Sequence, residues 1–206
     1  MGFVLNSYKL QVTSDKVKRL LVQKTDWNNP KAKEVSLQFD KMNVPFSCID
    51  TLNWANYSYC PKVSFRIAHN GKALLLNYIV NESDIKAIYN RNNGRIRKDS
   101  CLEFFISFSE DSYCYIEFNC IGKLLIRKGL GRGENRIKSS ESLLKCIDRW
   151  SSLGDLLVEN RSSNWGLSLI IPNKIFYPEI TGKLKNIKTK GTFCKFGYCL
   201  QTAHFI

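Results

Sequence analysis

Histidine is nearly absent from this chain: two residues in 206, His69 and His204, and no CxxC pair occurs among its eight cysteines. Zinc sites built on Cys and His at fixed spacings are thereby excluded, and no metal ligands are assigned. Neither histidine has a Ser, Cys or Asp nearby in a pattern that suggests a nucleophile and its base, so a surface turn for His69 and a strand-end contact for His204 are expected. No stretch approaches the ~20 apolar residues of a membrane span. Met1 to Tyr8 lacks the basic segment and apolar run of a secretory leader, so neither a signal peptide nor a membrane span is expected. Repeats, low-complexity tracts and Gly/Ser linkers are missing too, which predicts one soluble domain with an N-terminal extension.

Acidic residues are scarce relative to basic ones: 18 against 31, a formal net charge of +13. Such a surface attracts polyanions and acidic partners at long range. The charge permits nucleic acid, but no nucleic-acid motif accompanies it, and a basic solvated surface is the favoured reading. Several of the eight cysteines fall inside predicted strands among Phe, Leu and Ile, where a free thiol behaves as a small hydrophobe. Reduced core thiols favour a cytoplasmic location, although the compartment stays open.

What is present is a succession of short strands. Val63 to Ala68 and Ala73 to Val80 read as a hairpin around His69-Asn70-Gly71-Lys72, and Asn81 to Ala87 reads as a loop or short helix. Cys101 to Phe108 and Tyr113 to Cys120 form a second hairpin. Further strands run over Lys123 to Arg127, Trp165 to Ile171 and Thr192 to Cys199. Helix is confined to Ser140 to Trp150, which also fits strand and loop, and to a turn over Asn173 to Tyr177. The fold class is therefore all-β, an antiparallel β-sandwich with one or two short helices.

Alternation assigns Leu102, Phe104, Ile106 and Phe108 to the core, and with them Cys114, Ile116, Phe118 and Cys120. A three-residue loop, Ser109-Glu110-Asp111, then sets Phe105 opposite Tyr115 and Glu103 opposite Glu117 on the other face. Two opposed carboxylates are unfavourable unless a cation or hydrogen-bond donors lie between them. With Tyr113, Tyr115 and Asn119 on the same face, the set has the flat rings and strong acceptors that hold sugar hydroxyls and apolar sugar faces. An ordinary solvated face with an internal Arg partner is the alternative. The pair does not exclude a retaining glycosidase, but catalysis ranks below binding.

At Asp99-Ser100-Cys101-Leu102-Glu103-Phe104-Phe105 the sequence resembles family 9 carbohydrate-binding modules, and more closely the Bacteroides-type, family 9-like proteins. Leu52-Asn53-Trp54, Tyr59 to His69, Tyr115 to Gly122, Trp165 to Pro172 and Ala203-His204-Phe205 agree with that family in order. The resemblance covers residues 44–206 and leaves 1–43 as an N-terminal extension or additional strands packed on the domain. It implies a jelly-roll or immunoglobulin-like sandwich, related to DOMON domains, that binds an oligo- or polysaccharide at one end. Glu103 and Asn119 match the family's acceptor positions. Where the family places its first wall tryptophan this sequence has Arg97, which suits an acidic sugar, and Ile206 is reached where the second wall would follow.

Trp54 and Trp165 are assigned to the core, and Trp27 and Trp150 are the more open candidates for a sugar platform. Asp99 is assigned to its turn or, as in some relatives, to a structural calcium; no other cofactor is expected. The ligand-binding set is Glu103, Asn119, Arg97, Glu117, Tyr115 and Tyr113, in a non-catalytic carbohydrate-binding module linked to polysaccharide or glycan utilisation. That link suggests work outside the cytoplasm, against the thiols. The alternatives are a basic interaction module that meets an acidic protein, glycan or nucleic acid, and a carbohydrate-active hydrolase.

Overall fold

The computed structural model describes residues 20–50, 61–108, 112–130, 136–176 and 189–196, together with the backbone of 4–5 and 10–11. Trp54, Cys60, the 109–111 loop, Cys199 and the closing Ala203-His204-Phe205 lie outside the described residues.

Thirteen strands are described: β1 Val4–Leu5, β2 Leu10–Gln11, β3 Gln23–Lys24, β4 Ser47–Ile49, β5 Lys62–His69, β6 Ala73–Ala87, β7 Cys101–Ser107, β8 Ser112–Asn119, β9 Leu124–Leu130, β10 Arg136–Lys138, β11 Asp148–Ser151, β12 Val158–Pro172 and β13 Lys190–Phe196. Two short helices, α1 Val35–Lys41 and α2 Glu141–Leu144, join them. One sheet is wholly antiparallel in the order β10-β9-β8-β7-β13. The other runs β11-β12-β6-β5-β3 with β4 also on β5, and only its β3–β5 pairing is parallel.

The two sheets bury their inner faces against each other. Leu102, Phe104, Ile116 and Phe118 from one meet Phe65, Leu76, Tyr78 and Trp165 from the other. Phe193 is stacked between them, its ring centroid 4.0 Å from Phe65 and 4.6 Å from Phe104. This is the all-β antiparallel sandwich that the short alternating strands imply.

Both hairpin registers follow the alternation argument. Glu103 pairs with Glu117 and Phe105 with Tyr115. At the first hairpin, Gly71 takes φ +86°, and Asn70 Oδ1 accepts from the amides of Lys72 and Ala73.

The expected loop or helix over Asn81 to Ala87 is instead the second half of β6. Opposite it, β12 shifts register between Glu159 and Arg161 and again between Arg161 and Ser163, so the inward positions run Tyr78, Val80, Glu82 and then Ile85, Ala87. The bulge breaks the period-two pattern, and a glutamate at an inward position hides what remains of it. Ser140 to Trp150 divides into α2, whose cap Ser140 accepts from the Leu143 amide, and β11.

Helix α1 was not anticipated. Val35 and Phe39, one turn apart, are fully buried against Ala68, Leu75 and Ile170 on the outer face of the six-stranded sheet. It ends in a left-handed Asn43 at φ 51°, with the Val44 amide on the Phe39 carbonyl and the Asn43 amide on that of Asp40. Arg66, 2% exposed, clamps it: its guanidinium reaches Asp40 Oδ1 and Ser36 and stacks 4.3 Å over Phe46. Trp27 and Trp150 are half-buried in this packing and are not open platforms. With one outer face covered, the ligand-facing question falls on the five-stranded sheet.

Candidate functional site

Outward positions on that sheet come from four adjacent strands. Cys194 on β13, Glu103 on β7, Glu117 on β8 and Leu125 on β9 lie in one row, and Thr192, Phe105, Tyr115 and Arg127 lie in the next. Burying Glu103 and Glu117 side by side requires compensation, and three groups supply it.

The first is Tyr115, whose Oη stands 2.5 Å from Glu103 Oε1 and 2.5 Å from Glu117 Oε1. A phenol has one proton to give, so the second contact calls for a proton on a carboxyl. Glu103 is the carboxyl that takes it up as pH falls through about 7. Burial raises its pKa to about 7, against the opposing pull of the Tyr115 hydrogen bond and the Arg97 charge, with Glu117 adding to the rise. Burial and the two carboxylates push the Tyr115 phenol upward as well, so it stays protonated.

The other two are arginines. Arg97, from the short 3₁₀ turn Ile96–Lys98 before β7, sets its Nε 3.5 Å from Glu103 Oε1 and its guanidinium 4.4 Å over the Phe196 ring. Arg127 places Nη1 3.4 Å from Glu117 Oε1. The Phe105 and Tyr115 rings stack at 4.3 Å beneath this layer.

Tyr113 and Arg136 complete the patch. Tyr113 lies flat across Gly129, where a Cβ would come within 2.7 Å of its Oη, so only glycine admits this pose. Arg136 donates from Nε to Tyr113 Oη at 2.7 Å, its guanidinium 5.6 Å from the Tyr113 and Tyr115 rings. Sequence reasoning missed Arg127, Arg136 and Phe196. Their signal was present in outward alternation on β9, β10 and β13, but the pairing of those strands is a tertiary fact.

The layering is decisive. Glu103 and Glu117 are 2% and 4% exposed, whereas the Arg97 and Arg127 side chains are 41% and 30% exposed and Arg136 lies open. The carboxyls form a lower layer that holds the guanidiniums of an upper one. Cys194, in the same row, is no nucleophile, since burial pushes its thiol up to about 12.

The structure brings together Glu103, Glu117, Tyr115, Tyr113 and Arg97. It does not bring Asn119 among them. That amide is fully buried, donates to Tyr89 O and Asp99 Oδ2 and accepts from the Lys123 amide, which uses all of its geometry inside the fold. Asp99 accepts from the Ile88 and Tyr89 amides and from Asn119, as a turn-stabilising residue would. With both oxygens facing N–H donors, it does not fit a calcium site, which needs several convergent oxygens. Among the described residues no cluster of three or more His, Cys, Asp or Glu could hold a metal, and no helix is long and apolar enough to cross a membrane.

Two facing, mostly antiparallel sheets, one covered by a helix and the other bearing an arginine-capped aromatic patch, define a β-sandwich module. Residues 33–206 match the model of carbohydrate-binding family 9, and the chain belongs to that family. The match takes in α1, which the sequence resemblance over 44–206 left outside. A crystal structure of a candidate carbohydrate-binding protein from Bacteroides uniformis is 38% identical, with a TM-score of 0.82 over 88% of this chain and 84% of that one. A family 9 module from Caldicellulosiruptor kristjanssonii in complex with glucose shares the fold at 12% identity, TM-score 0.51, over 85% of this chain and 76% of that one. Its cellotriose complex does so at 11% identity and 0.50, over 84% and 75%. No curated protein matches the sequence.

Proposed function

We propose that this protein binds carbohydrate without cleaving it, on the outer face of the five-stranded sheet, in the service of polysaccharide or glycan utilisation. The observation that carries the reading is the hydrogen-bonded cluster Glu103–Tyr115–Glu117, which holds Arg97 and Arg127 beside the stacked Phe105 and Tyr115 rings in a family 9 chain. Rigid rings and oriented donors are what a sugar face and its hydroxyls require. Tyr115 Oη also sits between the carboxyls, where a retaining glycosidase leaves room for the anomeric carbon, and this supports binding over hydrolysis.

A glycan array at physiological salt tests this, with wild type compared against Arg97→Ala and Tyr115→Ala and reducing-sugar release assayed on every ligand found. Binding to a defined glycan class that weakens in both variants, with no release, is expected. Binding only to polyanions of any kind, lost with salt, would favour the basic interaction module that the charge of +13 allows.

A further inference from the structure

Among the described residues the upper layer of the patch consists of the donors Arg97, Arg127 and Arg136. Arg97 spends its Nε on Glu103 and Arg136 spends its Nε on Tyr113, and among the described residues no partner faces the terminal nitrogens of either guanidinium. The Arg97 guanidinium lies 4.4 Å over the Phe196 ring, and that of Arg136 lies 5.6 Å from the centroids of the Tyr113 and Tyr115 rings. Arg97 stands 3.5 Å from Glu103, and Arg136 faces the ring of Tyr115, whose hydroxyl meets the same carboxylate, so the two arginines share one patch.

Among the described residues, the acceptors that would serve a neutral sugar's hydroxyls are withdrawn. Asn119 is consumed internally, and both glutamates lie under the arginines, tied to a phenol. Charge balance points the same way. Among the described residues three guanidiniums, of Arg97, Arg127 and Arg136, stand over the two carboxyls of Glu103 and Glu117, a surplus of positive charge that an anionic ligand would neutralise.

We propose that the site takes an acidic sugar, a uronate or a sulfate-bearing residue, with Arg97 and Arg136 as its anion-binding residues and the Tyr113 and Phe196 rings as the surface beside them. This rests on the carbohydrate-binding reading and names its ligand class. A planar carboxylate and a tetrahedral sulfate can each offer two anionic acceptor oxygens to an arginine fork, and the probes separate the two sources.

Calorimetry at physiological salt on the full chain, with a uronic-acid trisaccharide, its carboxyl-reduced neutral counterpart, a sulfated trisaccharide, cellotriose and a short DNA duplex, decides the matter. One of the two acidic trisaccharides should bind about tenfold or more tighter than either neutral one. Arg97→Ala and Arg136→Ala should each lower that affinity by a similar factor, with Arg97→Lys recovering part of it. The ligand comparison needs no variant and stands even where one fails to fold. Neutral sugars bound as tightly as acidic ones, or affinity indifferent to both arginines, would overturn the acidic-sugar inference and leave carbohydrate binding intact. Failure of every trisaccharide, or a DNA duplex that binds better than all of them, would overturn both.

Discussion

Lys195 Nζ lies 3.0 Å from Glu82 Oε2 with the two side chains 3% and 0% exposed, so an ion pair joins the two sheets from β13 to β6 inside the sandwich. Glu82 also accepts from Ser100 Oγ at 2.7 Å and Trp165 Nε1 at 3.1 Å, and Lys195 donates to the Phe196 carbonyl. Full pairing is the condition under which buried charges are tolerated.

Removing one partner leaves the other uncompensated. Lys195→Met should lower unfolding free energy by about 3–5 kcal/mol, and Glu82→Gln by a similar amount. Urea unfolding at neutral pH reads both. A loss of only a few tenths of a kcal/mol in each would show that the pair is solvated and not buried.

The proton at Glu103 makes stability depend on pH. Its folded value, about 7, lies above the ordinary 4.5, so the stabilisation is complete below the unfolded value and declines as pH rises through about 7. The displacement corresponds to roughly 3 kcal/mol. Of the other groups facing it, burial keeps Tyr115, Cys101 and Cys194 protonated across this window. Glu103→Gln should flatten the decline between pH about 5 and 8 in a series of urea midpoints. Parallel declines in variant and wild type would place the proton elsewhere.

Asn119 ties the Asp99 turn to the end of β8. Asn119→Ala removes one donor from Asp99, leaves the Lys123 amide without its side-chain acceptor and should cost about 2–3 kcal/mol. Ligand affinity of the folded protein should change by no more than about twofold, because no Asn119 atom faces the patch. A selective loss of affinity at unchanged stability would return Asn119 to the ligand.

Arg66→Ala should release α1 from the outer face of the six-stranded sheet. The guanidinium is the common partner of Asp40, Ser36 and Asn77, so about 2–4 kcal/mol of global stability should go with it. Hydrogen exchange should show faster opening over residues 35–44 than over β7 and β8. Uniform acceleration would mean that α1 is integral to the core and not held by this clamp.

Alternation alone was enough to place Leu102, Phe104, Ile116 and Phe118 in the core and to set Glu103 against Glu117, because a half-buried hairpin with a short loop admits only one register that keeps both apolar sets inside. The same reasoning required a mediator between the carboxylates, and the Asp-Ser-x-Glu stretch carried the family. Hydrophobic period and loop length are local properties, so the sequence by itself determined the sandwich, the hairpin and the acidic pair. Tertiary structure alone decided the rest. The bulge opposite β6 shifted the phase of its inward residues, Glu82 acquired partners from elements 18, 83 and 113 residues away in the chain, and Asn119 turned inward to the Asp99 turn. Arg127 and Arg136 reached the patch only through the pairing of β9 and β10 beside β8, and a guanidinium's partner is set by which strands lie next to one another, which no local pattern encodes.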